Sequence, residues 1–200
     1  WRVPAVKWLM VEVLFTGGVG IYAFYALQPY LLELYGDPQA YLIAGLSASI
    51  VAGAQILGGM AAPRIRRLFR RRTSALLLTA ALSTATLALI GVFESFWAVL
   101  ALIVVWGLLF AATMPIRQAY INGIIPSQQR ATVLSFDSLL GSLGSVGGQT
   151  GLGYLSQELS VPAGFVVGGA ATILTLPIFA RLRALNEPAD RITAEAPEAV

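Results

Sequence analysis

"FWAVLALIVVWGLLFAATMPIRQAY" occupies residues 96–120. No charge interrupts it before Arg117, and its apolar residues fall on every side of a helix rather than along one stripe. A surface helix of a water-soluble domain keeps a polar face, whereas a helix that is apolar all round has lipid or protein on every side. About 20 mostly apolar residues suffice to cross about 30 Å of hydrocarbon. The segment therefore reads as a membrane-spanning helix, and the rest of the chain can be tested against that reading.

Five further stretches of the same kind surround it: Trp8 to Leu32, Tyr41 to Ala62, Thr73 to Val92, Thr132 to Leu155 and Val161 to Ala180. The composition agrees. The 200 residues are 57% hydrophobic and 12% charged, with a mean hydropathy of +0.76. A soluble domain averages about 25% charged residues. The expected fold is an all-α membrane protein of six transmembrane helices. The chain contains no Cys and no His. Disulfides, thiol chemistry and the commonest catalytic base and metal ligand are thereby excluded.

The connections decide the topology. "YGDPQA", "FES" and "SQELSVP" carry acid and no Lys or Arg, whereas "RIRRLFRRR" (64–72) holds six arginines. With six crossings, all 13 Lys and Arg fall toward one side, opposite Glu33, Asp37, Glu94 and Glu158. Loops that retain Lys and Arg are cytoplasmic, so both termini are expected inside a plasma membrane, taken to be a bacterial inner membrane. The arginine block reads as the cytoplasmic loop between the second and third helices, solvated near acidic headgroups. No folded basic domain surrounds it, so nucleic acid is not an expected partner. The chain opens "WRVPAVKW" with no Met and no signal peptide, so its numbering is expected to start inside a longer protein. The Ala/Glu/Pro-rich stretch 184–200 reads as a disordered tail.

Small residues let helix backbones approach closely in lipid. Gly45, Ser49 and Gly53 recur at four-residue spacing on the second helix, and Gly144–Gly148 and Gly147–Gly151 on the fifth. Pro115 and Pro177 each remove a backbone bond and are expected to kink the fourth and sixth helices.

Two of these segments, with a weaker third, resemble the C-terminal six-helix half of a major facilitator superfamily transporter. "GGMAAPRIRRLFRRRTSALL" (58–77) resembles the family's cytoplasmic loop motif, with Gly59, Arg64, Arg67, Arg71 and Arg72 in register. Pro63 stands at the motif's acidic position and Arg70 at its later glycine. "MPIRQAYINGIIPSQQRATVLSF" (114–136) resembles the family's tenth helix, the loop after it and the start of the eleventh. "YALQPYLLELYG" (25–36) resembles the end of the seventh more weakly. The resemblance implies two six-helix halves, each a 3+3 inverted repeat, around a site near the bilayer midplane. It implies an N-terminal half as partner, whether in the same parent chain, as a separate subunit, or as a second copy of this one.

Glu12 and Asp137 are the two acids at membrane depth, each on the order of 10 Å from the midplane. Arg117 and Arg130 lie near the same depth. Buried charges pair, so Asp137 or Glu12 is expected to bind Arg117 or Arg130, either as a cytoplasmic gate or as a permanent structural pair. No acid lies at the centre of a helix, which places any proton-coupling carboxylate in the other half. Tyr22, Tyr25 and Gln28 are expected to share a face of the first helix, and Trp106, Phe110, Thr113 and Arg117 a face of the fourth. In the resembled family these two helices line the cavity. Gln55 and Gln149 sit near mid-membrane on the second and fifth helices. An aromatic pocket with few charges suits a small neutral or moderately hydrophobic organic solute, and a proton-coupled exporter of a drug or metabolite is one form of that reading. No cofactor is called for. Without His, or Lys at depth, an intramembrane hydrolase lacks its base. A six-helix channel or a non-transporting scaffold is the alternative.

Overall fold

The computed structural model describes residues 3–192, without the side chains of Ser47 and of 62–67. Arg64 and Arg67 of the loop motif thus lie outside the described side chains. Seven helices follow one another: α1 (Pro4–Tyr35), α2 (Tyr41–Leu68), α3 (Arg72–Ile90), α4 (Phe96–Ile124), α5 (Arg130–Glu158), α6 (Val161–Thr172) and α7 (Thr175–Ala184). There is no strand among the described residues. The last two helices replace the sixth expected rod. Pro177 cannot donate to the Ile173 carbonyl, and the chain tightens there instead. Ile173 N donates to Ala170 O at 3.1 Å, Leu174 N to Ala171 O at 3.2 Å and Leu176 N to Ile173 O at 3.0 Å. The proline therefore tightens its helix locally, with Ile173 and Leu174 keeping right-handed helical angles so that Val161–Ala184 still makes one span, while α4 runs on through Pro115.

α1–α4 and the α6–α7 pair are long and apolar enough to cross a membrane. α5 has the length but is poorer in apolar residues. Its hydroxyls bond back onto its own carbonyls: Ser142 to Ser138 O at 3.0 Å, Ser145 to Gly141 O at 2.9 Å and Thr150 to Val146 O at 2.7 Å. Such bonds satisfy a polar side chain inside the helix that carries it.

α1 and α5 run parallel and touch backbone to backbone. A Cβ at Gly17 would lie 2.7 Å from Gly141 O, one at Gly18 would lie 2.6 Å from Gly144 O, and one at Gly148 would meet the backbone of Gly18. α2 lies against α4 in the same way, through Gly58 on Ala111 and Gly107 on Ala54. Gly45, Gly53, Gly147 and Gly151 have nothing within 4 Å of a would-be Cβ. Only some of the small-residue pairs are used inside this bundle.

The buried side chains form two tiers. One gathers Leu9, Leu76, Tyr120 and Phe179 near the chain ends; the other gathers Leu27, Tyr30, Ile103 and Phe165 at the far end. The turns sort by charge accordingly. Arg71 donates to Arg183 O at 3.5 Å, and Gly123 packs on Ala189, so the α2–α3 turn, the α4 end and the tail share one end. At the other end, Tyr30 OH donates to Phe93 O at 2.9 Å and Tyr35 packs on Phe96, next to Glu33 and Glu94. Arg117 departs from the sorting: it is buried in the bundle rather than placed at a surface.

Two expectations are corrected at the basic end. The arginine block is a loop only in part: α2 continues to Leu68, residues 69–71 make the connection and α3 begins at Arg72. The apolar stretch of α2 ends earlier, and the arginine-rich turns extend the helix past it. Nor does disorder begin after Arg183. Asp190 is 1% exposed and caps α3: it accepts from Thr73 N at 2.8 Å and from Thr73 Oγ1 at 2.9 Å. Ile192 N donates to Arg70 O at 3.1 Å, and Arg72 donates to Ala189 O. Residues 193–200 lie outside the described part. Asp190→Ala should cost about 0.5–2 kcal/mol, the range for losing a capping acceptor, and should speed hydrogen exchange at the Thr73 amide. Unchanged exchange there would contradict the clasp.

Candidate functional site

Between the two tiers lies a cavity of ≈480 Å³, bounded by α1, α3, α4, α5, α6 and α7. Helical geometry explains who reaches it. On α4, Trp106, Phe110, Thr113 and Arg117 are spaced 4, 3 and 4, so at about 100° per residue they stay within about 40–60° of one another. All four line the cavity, and the Trp106 and Phe110 rings stack at 5.6 Å with a 27° tilt. On α1 the residues that arrive are Glu12, Thr16 and Gly20, again four apart. Tyr22, Tyr25 and Gln28, by contrast, are spaced by three, so their direction drifts about 120° from first to last.

That drift corrects the expected α1 face. Tyr22 is buried against Phe165, with its hydroxyl 2.6 Å from Ser156 Oγ, and serves packing. Tyr25 is 54% exposed and Gln28 half-buried, and neither lines the cavity. Gln55 and Gln149 are exposed on α2 and α5 and do not line it either. Of the expected solute contacts, the structure brings Trp106 and Thr113 together.

Other lining residues were not anticipated. α5 contributes Ser138, Ser142 and Ser145; α3 contributes Thr79 and Ser83; α7 contributes Thr175. Their signal was present in the sequence as hydroxyls spaced three or four apart on otherwise apolar helices, the marks of one non-lipid face. The rim is open between α4 and α5, where Met114, Gln118, Ser138 and Ser142 are exposed.

The charges sit at the end of the cavity nearer the basic turns. Arg117 donates from Nε to Glu12 Oε2 at 2.8 Å, from Nη1 to Asp137 Oδ2 at 2.9 Å and from Nη2 to Asp137 Oδ1 at 2.8 Å. Nη2 also donates to Leu9 O at 3.1 Å. Glu12 is 2% exposed, Asp137 7% and Arg117 8%. The guanidinium fork suits this double engagement, since its planar donors match one carboxylate bidentately and leave Nε for another. Three helices are thereby joined at one point: α1, α4 and α5. Arg130 takes no part. It is exposed at the start of α5 and donates to Asn122 O at 3.4 Å. Among the described residues no group of three His, Cys, Asp or Glu is placed to hold a metal.

A family model for the Major Facilitator Superfamily matches residues 9–199. Among solved structures, a mutant of the peptide transporter POT in complex with sulfate superposes with a TM-score of 0.71 at 15% identity, over 92% of this chain and 39% of that one. The human organic anion transporter MFSD10 (TETRAN) superposes with a TM-score of 0.67 at 17% identity, over 90% of this chain and 48% of that one. A search of curated protein sequences finds no match. The fold is that of an integral membrane transporter half-bundle, and the chain spans less than half the length of these two transporters. The chain belongs to the Major Facilitator Superfamily.

Proposed function

We propose that this chain is the C-terminal half of a secondary transporter that moves a small organic solute through the α1/α4/α5 cavity by alternating access. The observation that carries the reading is the cavity itself: ≈480 Å³, walled by a stacked aromatic pair and hydroxyls, and open on the side between α4 and α5. The N-terminal half would close that side and would cover the unpartnered glycines of α2 and α5. The positive-inside rule supports an orientation with both termini in the cytoplasm. The Arg117 cluster then lies on the cytoplasmic side of the cavity and acts as a gate whose closure ties α1, α4 and α5 together.

Reconstituted into proteoliposomes together with the N-terminal half, the protein should show saturable counterflow of its solute. Asp137→Asn leaves Arg117 its bond to Glu12 but removes the bidentate grip on α5. It should change the counterflow rate by roughly tenfold, the scale of one charged hydrogen bond. Wild-type rates in both directions would reduce the cluster to a permanent strut. Unitary conductance steps across a planar bilayer would favour a channel and defeat the transporter reading.

A further inference from the structure

The cavity's charges do not balance. Two carboxylates face one guanidinium, and among the described residues no other Lys, Arg or acid lines the cavity. The imbalance can be placed on one atom. Both oxygens of Asp137 and Oε2 of Glu12 are taken by Arg117. Glu12 Oε1 accepts no hydrogen bond among the described residues. It belongs to a side chain that is 2% exposed and lines the cavity. Oε1 is not one of the buried side-chain atoms that lack a partner, so it is open to the cavity rather than sealed in the bundle, and an incoming donor with a positive charge would meet both the free oxygen and the excess negative charge. About three helical turns from Glu12's level, the Trp106 face is stacked on Phe110, a surface that attracts cations and covers apolar groups alike. Thr113, Thr16 and Ser142 offer hydroxyl oxygens between them.

We infer that the solute class of this cavity is an organic ammonium: a protonated amine seated on Glu12 Oε1, with an aromatic or aliphatic body lying toward Trp106 and Phe110. The inference rests on the transport-cavity reading above and replaces the neutral solute that the sequence suggests. It also sets this chain apart from its structural neighbours, one crystallised with sulfate and the other named for organic anions, whose likeness extends to the fold. An anion would have to approach Arg117 through the single N–H that its four hydrogen bonds leave over, past the carboxylate oxygen of Glu12.

Three probes of one shape separate the possibilities: 4-phenylbutylammonium, 4-phenylbutanol and 4-phenylbutyrate, titrated into the purified protein with tryptophan fluorescence and calorimetry as readouts. The ammonium should bind about tenfold or more tighter than the alcohol, and the carboxylate weakest, as expected for one desolvated charge pair. Glu12→Gln should erase the preference for the ammonium over the alcohol. Glu12→Asp, which keeps the charge, should retain part of the preference and guards against a Glu12→Gln protein that fails to fold. Equal binding of all three probes, or tighter binding of the carboxylate, overturns the ammonium assignment while leaving a solute cavity in place. No binding of any probe, in a wild-type protein that shows no counterflow, removes the transport reading along with it.

Discussion

Arg117→Gln should destabilise the folded protein by about 3–5 kcal/mol, the range for breaking a buried ion cluster from one side. The substitution keeps much of the side chain's length but leaves Glu12 and Asp137 facing each other, 2% and 7% exposed, with no cation between them. Like charges at that depth cannot both stay ionised without cost. Arg117→Lys should recover only part of the loss. An ammonium has three donors on one atom and cannot span Glu12, both oxygens of Asp137 and Leu9 O as the fork does. The triple variant Arg117→Gln, Glu12→Gln, Asp137→Asn should recover most of it, since replacing all partners removes the uncompensated charge. Thermal unfolding in detergent ranks the four proteins. A single Arg117→Gln protein that melts with the wild type would mean that the cluster does not exist as described.

The ranking also explains why this part of the site was legible in the sequence. Glu12, Arg117 and Asp137 were conspicuous because charges at membrane depth have few tolerable environments. Sequence depth could nominate partners, but it could not choose between Arg117 and Arg130. That choice is made by helix register, since Arg117 falls one full helical repeat beyond Thr113 and Phe110 on the inward face, while Arg130 starts α5 in solvent. The same register argument separates the aromatic sets, for 4–3–4 spacing holds one face and 3–3 spacing leaves it. Hydroxyls on α3 and α5 escaped notice because Ser and Thr satisfy themselves against their own helix and so raise no alarm in a hydropathy profile. Five of the six expected spans were legible by length and apolarity alone, whereas α5 has the length but not the apolarity. The clasp of Asp190 on α3 was not legible, because it is built from a polar segment whose composition is that of a tail.

Gly144→Ala and Gly148→Ala should each cost about 1–3 kcal/mol, the usual penalty for forcing volume into a filled contact, despite the better helix propensity of alanine. A Cβ at position 144 would meet the Leu14 carbonyl, and one at 148 the backbone of Gly18. Neither obstacle is the end of a flexible side chain, so α1 and α5 would have to part. Parting them strains the bond from Ser145 Oγ to Gly17 O, now 3.2 Å, and draws Asp137 away from the Arg117 that Glu12 holds. Gly147 carries the same four-residue pattern in the sequence but has nothing within 4 Å. Gly147→Ala should therefore leave the α1–α5 contact intact and gain up to about 1 kcal/mol of helix propensity. The coupling gives a sharper test than either substitution alone. Position 144 lies about 10 Å along α5 from Asp137, and both act on one helix pair, so Gly144→Ala combined with Asp137→Asn should cost less than the sum of the two. Strict additivity would show that the crossing and the charge cluster stabilise the bundle independently, and that small residues on α5 do not set the distance at which Asp137 meets Arg117.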